Sequence, residues 1–237
     1  MLRAAAGSGT TTIAATPHLS AEFPNVRVHE LAGRCATLRD AVAEEGIEIT
    51  VASGAEVSLT WALEATDDEL RLASYGQRGT DLLIETPSIN VFGLEALLYH
   101  LRGKGLRITL AHPERNPEFQ RQRDRLSRLV DQGVLLQVNG DTLLGDPRRS
   151  AACALGRDLC VHGLAHALAS DGHRASAWRP VTRLAQAADA AAALVGAERA
   201  VWLTATAPAA IIEGEQLPDP PVIVPRRRKW RWRLGAR

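Results

Sequence analysis

Six short apolar runs, at 11–15, 47–52, 82–84, 106–111, 134–138 and 163–169, alternate with longer stretches of helical spacing. That alternation is the signature of repeated βα units, which fold into a parallel sheet covered by helices. Helices are predicted at 28–45, 92–102, 119–132, 148–160 and 180–195. In the first of these, Leu31, Cys35, Leu38 and Val42 recur near a helical period, and Gly46 stands where a glycine stop belongs. Pro180 is expected to open the last one, in the first turn that tolerates a missing N–H. No low-complexity linker cuts the first 215 residues, so a single α/β domain is expected.

Composition narrows the function classes. With 237 residues, 46% hydrophobic and 23% charged, the chain can bury a core, and no apolar run reaches the roughly 18 residues of a spanning helix. The first residues are too rich in Thr, Ser and Gly for a signal peptide, which predicts a cytoplasmic protein. Cys35, Cys153 and Cys160 form no CxxC pair and are expected to be small buried hydrophobes. The positions six residues after them hold Ala41, Leu159 and His166, which excludes the thiolate-and-arginine loop of cysteine-dependent phosphatases. Residues 226–237 carry seven basic side chains and no acid, leaving a net charge of −6 on residues 1–225.

The chemistry stands at the carboxyl ends of the apolar runs. There the sequence places Thr16-Pro17-His18, Gly54-Ala55-Glu56, Glu85-Thr86-Pro87, His112-Pro113-Glu114-Arg115, Asn139 and Ser170-Asp171-Gly172-His173. In a parallel α/β sheet these ends gather on one face, where each strand can give one side chain to a shared pocket. Taken singly each group has an ordinary explanation: His18 as a turn residue, Glu56 or Glu85 capping the next helix, Asp171 in an Asx turn. Their recurrence at one register of successive units instead predicts a metal site built from His18, Glu56, Glu85, His112, Asp171 and His173. Imidazoles and carboxylates without thiolate suit Mn, Fe or Zn, and six donors exceed what one tetrahedral ion needs, so a multinuclear site is expected. Arg115 can grip a phosphate bidentately, the competing expectation being an ion pair with Glu114 or Glu118. His29, His100, His162 and His166 fall within helical or apolar segments and are read as structural.

The segments GTTTIAATPH (9–18), VASGAEVSL (51–59), DLLIETPS (81–88), ITLAHPERN (108–116), LLQVNGDTLLG (135–145) and ASDGHR (169–174) resemble, in order and spacing, PHP-fold phosphoesterases. The resemblance is to the manganese-dependent bacterial protein-tyrosine phosphatases of capsule and exopolysaccharide loci, and it extends to about residue 218. It implies a distorted (β/α)7 barrel with a trinuclear centre at the strand carboxyl ends, with the six residues above as ligands and Glu85 as a bridge. It also implies that Arg115 and Arg179 bind substrate phosphate, and that His112, Asp171, His173 and Arg115 serve catalysis, in which metal-activated water attacks phosphorus. The implied substrate is a phosphotyrosine protein, a tyrosine kinase of polysaccharide export. The same metal chemistry on a small phosphate ester, such as histidinol phosphate or a nucleotide, and a noncatalytic phosphopeptide-binding remnant are the alternatives.

The family pattern also places a strand carrying His-x-His upstream of the TPH strand, whereas no histidine precedes His18 here. The expectation is therefore an N-terminally truncated domain over 1–218, the alternative being a degenerate copy with an opened barrel, with its first βα unit incomplete, a sheet edge unpaired, the metal site incompletely closed, metal binding weak and activity impaired. Leu19 stands where many relatives have a second histidine. Residues 219–237 are expected to be a Pro-rich linker and a basic tail. Interleaved Arg and Trp at 226–237 suit peripheral contact with an anionic membrane, at the inner face, and no specific nucleic acid is expected.

Overall fold

The computed structural model describes residues 1–88, 92–176 and 179–224. A short helix, α1 (Leu2–Gly7), precedes β1 (Thr12–Ala15) and β2 (His18–Leu19), and α2 (Leu31–Glu44) leads to β3 (Thr50–Ser53) and β4 (Glu56–Val57). Helices α3 (Leu59–Glu64) and α4 (Asp67–Ala73) precede β5 (Asp81–Glu85), and α5 (Leu94–Gly103) precedes β6 (Arg107–Ala111). Then come α6 (Pro117–Arg121), α7 (Arg123–Asp131), β7 (Leu135–Asn139), α8 (Asp141–Leu144), α9 (Ala151–Val161) and β8 (Ala167–Ala169). The chain closes with α10 (Arg183–Val195), α11 (Ala197–Val201), a π-helical turn at Trp202–Thr206 and α12 (Ala207–Glu213).

Every strand pairing is parallel. β1 pairs with β3, and a six-stranded sheet runs in the order β2-β4-β5-β6-β7-β8. β1 and β2 form one path broken at 16–17, because Pro17 has no N–H to give the ladder. The interruption is bridged: Gly54 N–H donates to Ala15 O and Glu56 N–H to Pro17 O, both at 3.1 Å. Gly54 is required here, since a Cβ would lie 2.8 Å from Cδ1 of the buried Tyr75. The strands thus follow six parallel paths in chain order, each joined to the next through at least one helix, as parallel pairing requires. β5 is buried along four successive residues, Asp81 to Ile84, as a strand covered on both faces should be. Leu82, Ile84, Ile108, Leu110, Leu136 and Val138 form the middle of the main core.

The six apolar runs all become strands, with shifted limits. Ile47 and Ile49 lie outside β3 and pack in a small cluster with Cys35, Val42 and Val51. The helix expected at 119–132 is two helices, parted at Gln122 (φ −124°, ψ 61°), and no glycine or proline marks the break. Pro180 does not open α10: it bridges to Arg174, and its carbonyl accepts from Arg183 N–H (3.2 Å). Its rigid φ closes a loop in front of the helix instead. α3 and α4 were not anticipated, although Thr66-Asp67-Asp68-Glu69 is a capping-box sequence, and both of its reciprocal bonds form.

The expected unpaired edge is present among the described residues. The β1/β2 path and β8 do not pair with each other, and a cleft of about 480 Å³ separates them, lined by Thr12, Ala14, Thr16, Leu168, Ala169 and Ser170 among others. Residues 218–224 have no regular structure yet are anchored at both ends. Trp202 Nε1–H donates to Pro218 O (3.1 Å) and Val224 N–H to Val195 O (3.0 Å). The basic tail at 226–237 lies outside the described residues. No described helix is long and apolar enough to cross a membrane.

Candidate metal centre

All six predicted ligands and both arginines meet at the carboxyl end of the sheet. His18 and Glu56 face each other in the β2–β4 register, Glu85 ends β5, and His112 follows β6 directly. Asp171 and His173 lie just beyond β8. Arg115 comes from the 3-10 turn Pro113–Arg115, and Arg179 from a loop closed by His173 N–H donating to Arg179 O (3.0 Å) and Val181 N–H to Arg174 O (3.1 Å).

Donor atoms of His18, Glu56 and Glu85 all lie within 4.8 Å of one another. His112 Nε2–H donates to Glu56 Oε1 at 2.9 Å, and His18 Nδ1 lies 3.5 Å from Glu85 Oε2. His173 sits beside this group, its ring centroid 6.4 Å from that of His18, and its Nδ1 is 3.6 Å from Asp171 Oδ1. Arg115 Nη1 and Arg179 Nη1 reach Asp171 Oδ2 at 3.2 and 2.9 Å. Arg115 therefore pairs with Asp171, not with Glu114 or Glu118. Glu114 is buried beneath the turn, and Glu118 is taken by Arg125 at 3.1 Å.

The electrostatics are those of a carboxylate cluster in need of cations. Glu85 holds His18 above the ordinary imidazole value despite partial burial, and His18 in turn holds Glu85 below the ordinary carboxylate value. Burial opposes charge on His112, but its bond to Glu56 and the charge there win, so its pKa is raised. Burial raises that of Asp171, against the pull of Arg179. His18 Nδ1 is buried and makes no close hydrogen bond, its ion-pair partner Glu85 Oε2 standing off at 3.5 Å, which leaves it a donor atom aimed among carboxylates. A divalent ion fits that donor set. Backbone strain collects at the same place: among the described non-glycine residues only Gln77, His112, Asp171 and Arg179 have positive φ, and three of these belong to the site.

A pocket of about 220 Å³ is lined by His18, Glu85, Thr86, His112, Arg115, Asn116 and Arg179, so both arginines share it with two of the histidines. Three supporting residues had no role assigned from the sequence. Asn116 Nδ2–H donates to Pro87 O, while its Oδ1 accepts from Glu118 N–H (2.7 Å) and Phe119 N–H (3.2 Å), capping α6. Asn139 Nδ2–H donates to Asp171 Oδ2 (2.9 Å), and Glu114 Oε1 accepts from Asn139 N–H (2.9 Å). The available signal was Asn139's place at a strand end, in the same register as the ligands.

The residues read as structural stay clear of the site. His29, His100 and His162 are exposed, and His166 Nδ1 accepts from Leu136 N–H (3.2 Å), with burial pushing its pKa down to about 4. All three cysteines are buried and free, and burial pushes Cys160 up to about 12, far from nucleophilic use.

The sequence matches the family model described as "Capsular polysaccharide synthesis, CpsB/CapC" over residues 1–213. It is 32% identical over 177 residues to the tyrosine-protein phosphatase YwqE of Bacillus subtilis (strain 168), covering 73% of this chain and 68% of the relative. It is 28% identical over 181 residues to the putative tyrosine-protein phosphatase CapC of Staphylococcus aureus, with coverage of 73% and 68%. A solved structure, from work on YwqE of Bacillus subtilis and CpsB of Streptococcus pneumoniae as unique metal-dependent tyrosine phosphatases, superposes with a TM-score of 0.79 at 27% identity. That match covers 95% of this chain and 90% of the other. The match to the family model spans both the ligand cluster and the arginine pair, and the chain belongs to the CpsB/CapC family of capsular polysaccharide synthesis proteins.

Proposed function

We propose that the chain is a metal-dependent phosphoric monoester hydrolase acting on phosphotyrosine in proteins, in the regulation of capsule or exopolysaccharide synthesis. The observation that supports this most is the arginine pair Arg115 and Arg179 closing on Asp171 at the border of the His18, Glu56 and Glu85 cluster. Both phosphate grips share a small pocket with His18, Glu85 and His112, while Glu56, Asp171 and His173 line the cleft that His18 also borders, so cation ligands and phosphate grips are neighbours, as hydrolysis of a phosphate monoester requires.

His18, Glu56, Glu85, His112, Asp171 and His173 would hold a multinuclear centre, with manganese as the first choice and iron or zinc as alternatives. Bound ions would supply an acidified water and neutralise phosphoryl charge. Arg115 and Arg179 bind the substrate by exchanging the Asp171 carboxylate for phosphoryl oxygens, for which a planar guanidinium is shaped. The leaving group is a phenolate, whose conjugate acid has a pKa of about 10, so it departs with less proton assistance than an alkoxide. That favours an aryl phosphate over an alkyl one as the substrate of such a site.

The sheet fits six paths of a distorted (β/α)7 barrel whose seventh place is the cleft between β1 and β8. The parallel pairings in chain order support that reading. We assign residues 1–218 to the phosphoesterase domain and 219–237 to a linker and basic tail that touches anionic lipid at the inner face of the membrane, where a polysaccharide-export tyrosine kinase would be the substrate. Co-sedimentation with anionic vesicles should be lost when 226–237 are deleted; unchanged co-sedimentation removes the tail from this account.

The central test compares manganese-dependent hydrolysis of a phosphotyrosyl peptide with that of histidinol phosphate and a nucleotide monophosphate. Preference for the peptide is the expected result. Preference for a small ester refutes the substrate class, and peptide binding without phosphate release at saturating manganese refutes catalysis.

A further inference from the structure

The two oxygens of Asp171 live in different surroundings. Oδ1 lies 3.6 Å from His173 Nδ1, which is itself bonded to the Asp171 backbone carbonyl (2.9 Å), while Oδ2 is approached by Arg115 Nη1 (3.2 Å), Arg179 Nη1 (2.9 Å) and Asn139 Nδ2 (2.9 Å). These three neighbours are unlike in kind. The arginines are long side chains whose proposed task is to leave Asp171 for the substrate. Asn139 is short, 6% exposed, and committed on every polar atom. Its N–H donates to Glu114 Oε1 (2.9 Å), its C=O accepts from Thr142 Oγ1 (2.7 Å), and its Oδ1 accepts from Asp141 N–H (3.2 Å).

Those bonds settle which way the amide points. Turned over, Asn139 would aim its NH2 at the Asp141 N–H and its oxygen at the Asp171 carboxylate, losing two bonds and creating two repulsions. Glu114 fixes the backbone beneath it, being a wholly buried carboxyl under the turn that carries His112 and Arg115. The end of β7 is thereby tied to the turn after β6 on one side and to Asp171, two residues beyond β8, on the other.

We propose that Asn139 is a positioning residue for Asp171. It keeps hold of Oδ2 when both arginines transfer to a phosphoryl group, so that Oδ1 stays turned toward His173 and the cation site. Asp171 sits in left-handed backbone (φ 47°) and would otherwise be free to follow the guanidinium groups out of register. The inference rests on the reading of Asp171 as a ligand and goes beyond it by assigning the group that keeps the ligand in place. Partners that orient a ligand from behind in this way typically contribute 10- to 100-fold, that is, about one to two decades, in metal affinity.

The test uses the full chain and Mn2+ alone, with binding followed by the loss of the free-ion paramagnetic resonance signal at pH 8. Asn139→Asp keeps the size, the backbone bonds and the oxygen that accepts from Asp141, but replaces the amide donor that Asn139 offers Asp171 by an acceptor. Asn139→Ser keeps the local turn chemistry and falls short of Asp171. Both variants should bind Mn2+ about 10- to 100-fold more weakly than the unsubstituted chain while melting as cooperative folded proteins in EDTA. A merely structural role in the Asp141 turn predicts unchanged Mn2+ affinity for Asn139→Ser and, because of the added carboxylate, unchanged or tighter binding for Asn139→Asp. Affinity within twofold of the unsubstituted chain in whichever variant folds overturns the inference and leaves the proposed function standing. No Mn2+ binding by the unsubstituted chain overturns both.

Discussion

Glu56 and His112, 56 residues apart in the chain, meet at 2.9 Å with both side chains buried, so the first residue of β4 and the residue just after β6 share one proton-bearing contact across β5. Packed this closely, the carboxylates of Glu56 and Glu85 favour the charged forms of His112 and His18, whose pKa values are raised. His112→Ala removes that charge and leaves Glu56 buried beside Glu85. The expected outcome is a fall in manganese-dependent phosphotyrosine hydrolysis of more than about 100-fold, with a stability loss of roughly 1–3 kcal/mol from the orphaned carboxylate. Rates equal to the unsubstituted chain and well above background would remove His112 from the chemistry.

The pH dependence of the metal-free chain follows from the same group. His18, His112, Asp171 and Glu114 all have raised pKa values, Glu114 to about 7 through burial. For a group whose folded pKa exceeds its unfolded one, the stabilisation is complete below the unfolded value and is lost as pH rises through the folded value. Glu114 thus costs stability progressively from about pH 4.5 to 7, a few kcal/mol in order of magnitude, and the histidines add to the loss above about 6.5. Glu85, with a lowered pKa, acts oppositely, and its contribution is lost only as pH falls below its ordinary value. In EDTA the melting temperature should therefore be higher near pH 5.5 than at pH 8. Glu114→Gln should flatten the profile between these values, and an unchanged profile would show that Glu114 is not its source.

Much of the site was legible because a parallel sheet turns a sequence rule, polar residues after apolar runs, into a spatial one. His18, Glu56, Glu85 and His112 needed nothing more than strand order. The partner of Arg115 was not legible, since Asp171 lies 56 residues away and meets it only because β8 closes the row of strands. Sequence proximity pointed instead to Glu114 and Glu118, whose side chains the short turn and α6 direct elsewhere. Asn139 shared the ligand register but carries no charge, so charge pattern gave it no role. The split paths of β1/β2 and β3/β4 were hidden for a related reason: Pro17 and Gly54 break the ladder at single residues without breaking the apolar pattern.

Arg115 offers a test of geometry against charge. Its guanidinium reaches Asp171 Oδ2 through Nη1 and lines the pocket that holds Glu85 and His112. Arg115→Lys keeps the charge and loses the fork, so kcat/KM for phosphotyrosyl peptide should fall by about 10- to 100-fold, most of it in KM. Arg115→Ala should fall further. If lysine restores full kcat/KM, Arg115 acts as a point charge and the bidentate grip is wrong.

Gly172 links the fold to the ligands on either side of it. A Cβ there would lie 2.3 Å from Val181 Cγ1 and 3.0 Å from Val181 Cα, and Val181 is buried just ahead of α10. Backbone cannot yield as the end of a flexible side chain does, so Gly172→Ala must push the 173–181 loop away from Asp171. The loop carries Arg179 and His173, so overpacking of about 1–3 kcal/mol should come with weaker Mn2+ binding and a raised KM. Val181→Ala in the same chain removes the shortest contact, that with Cγ1, while Cα stays at 3.0 Å, so it should recover part of both losses. Additive losses in the double variant, measured by melting and by Mn2+ titration, would show that the contact between Gly172 and Val181 does not set the loop's position.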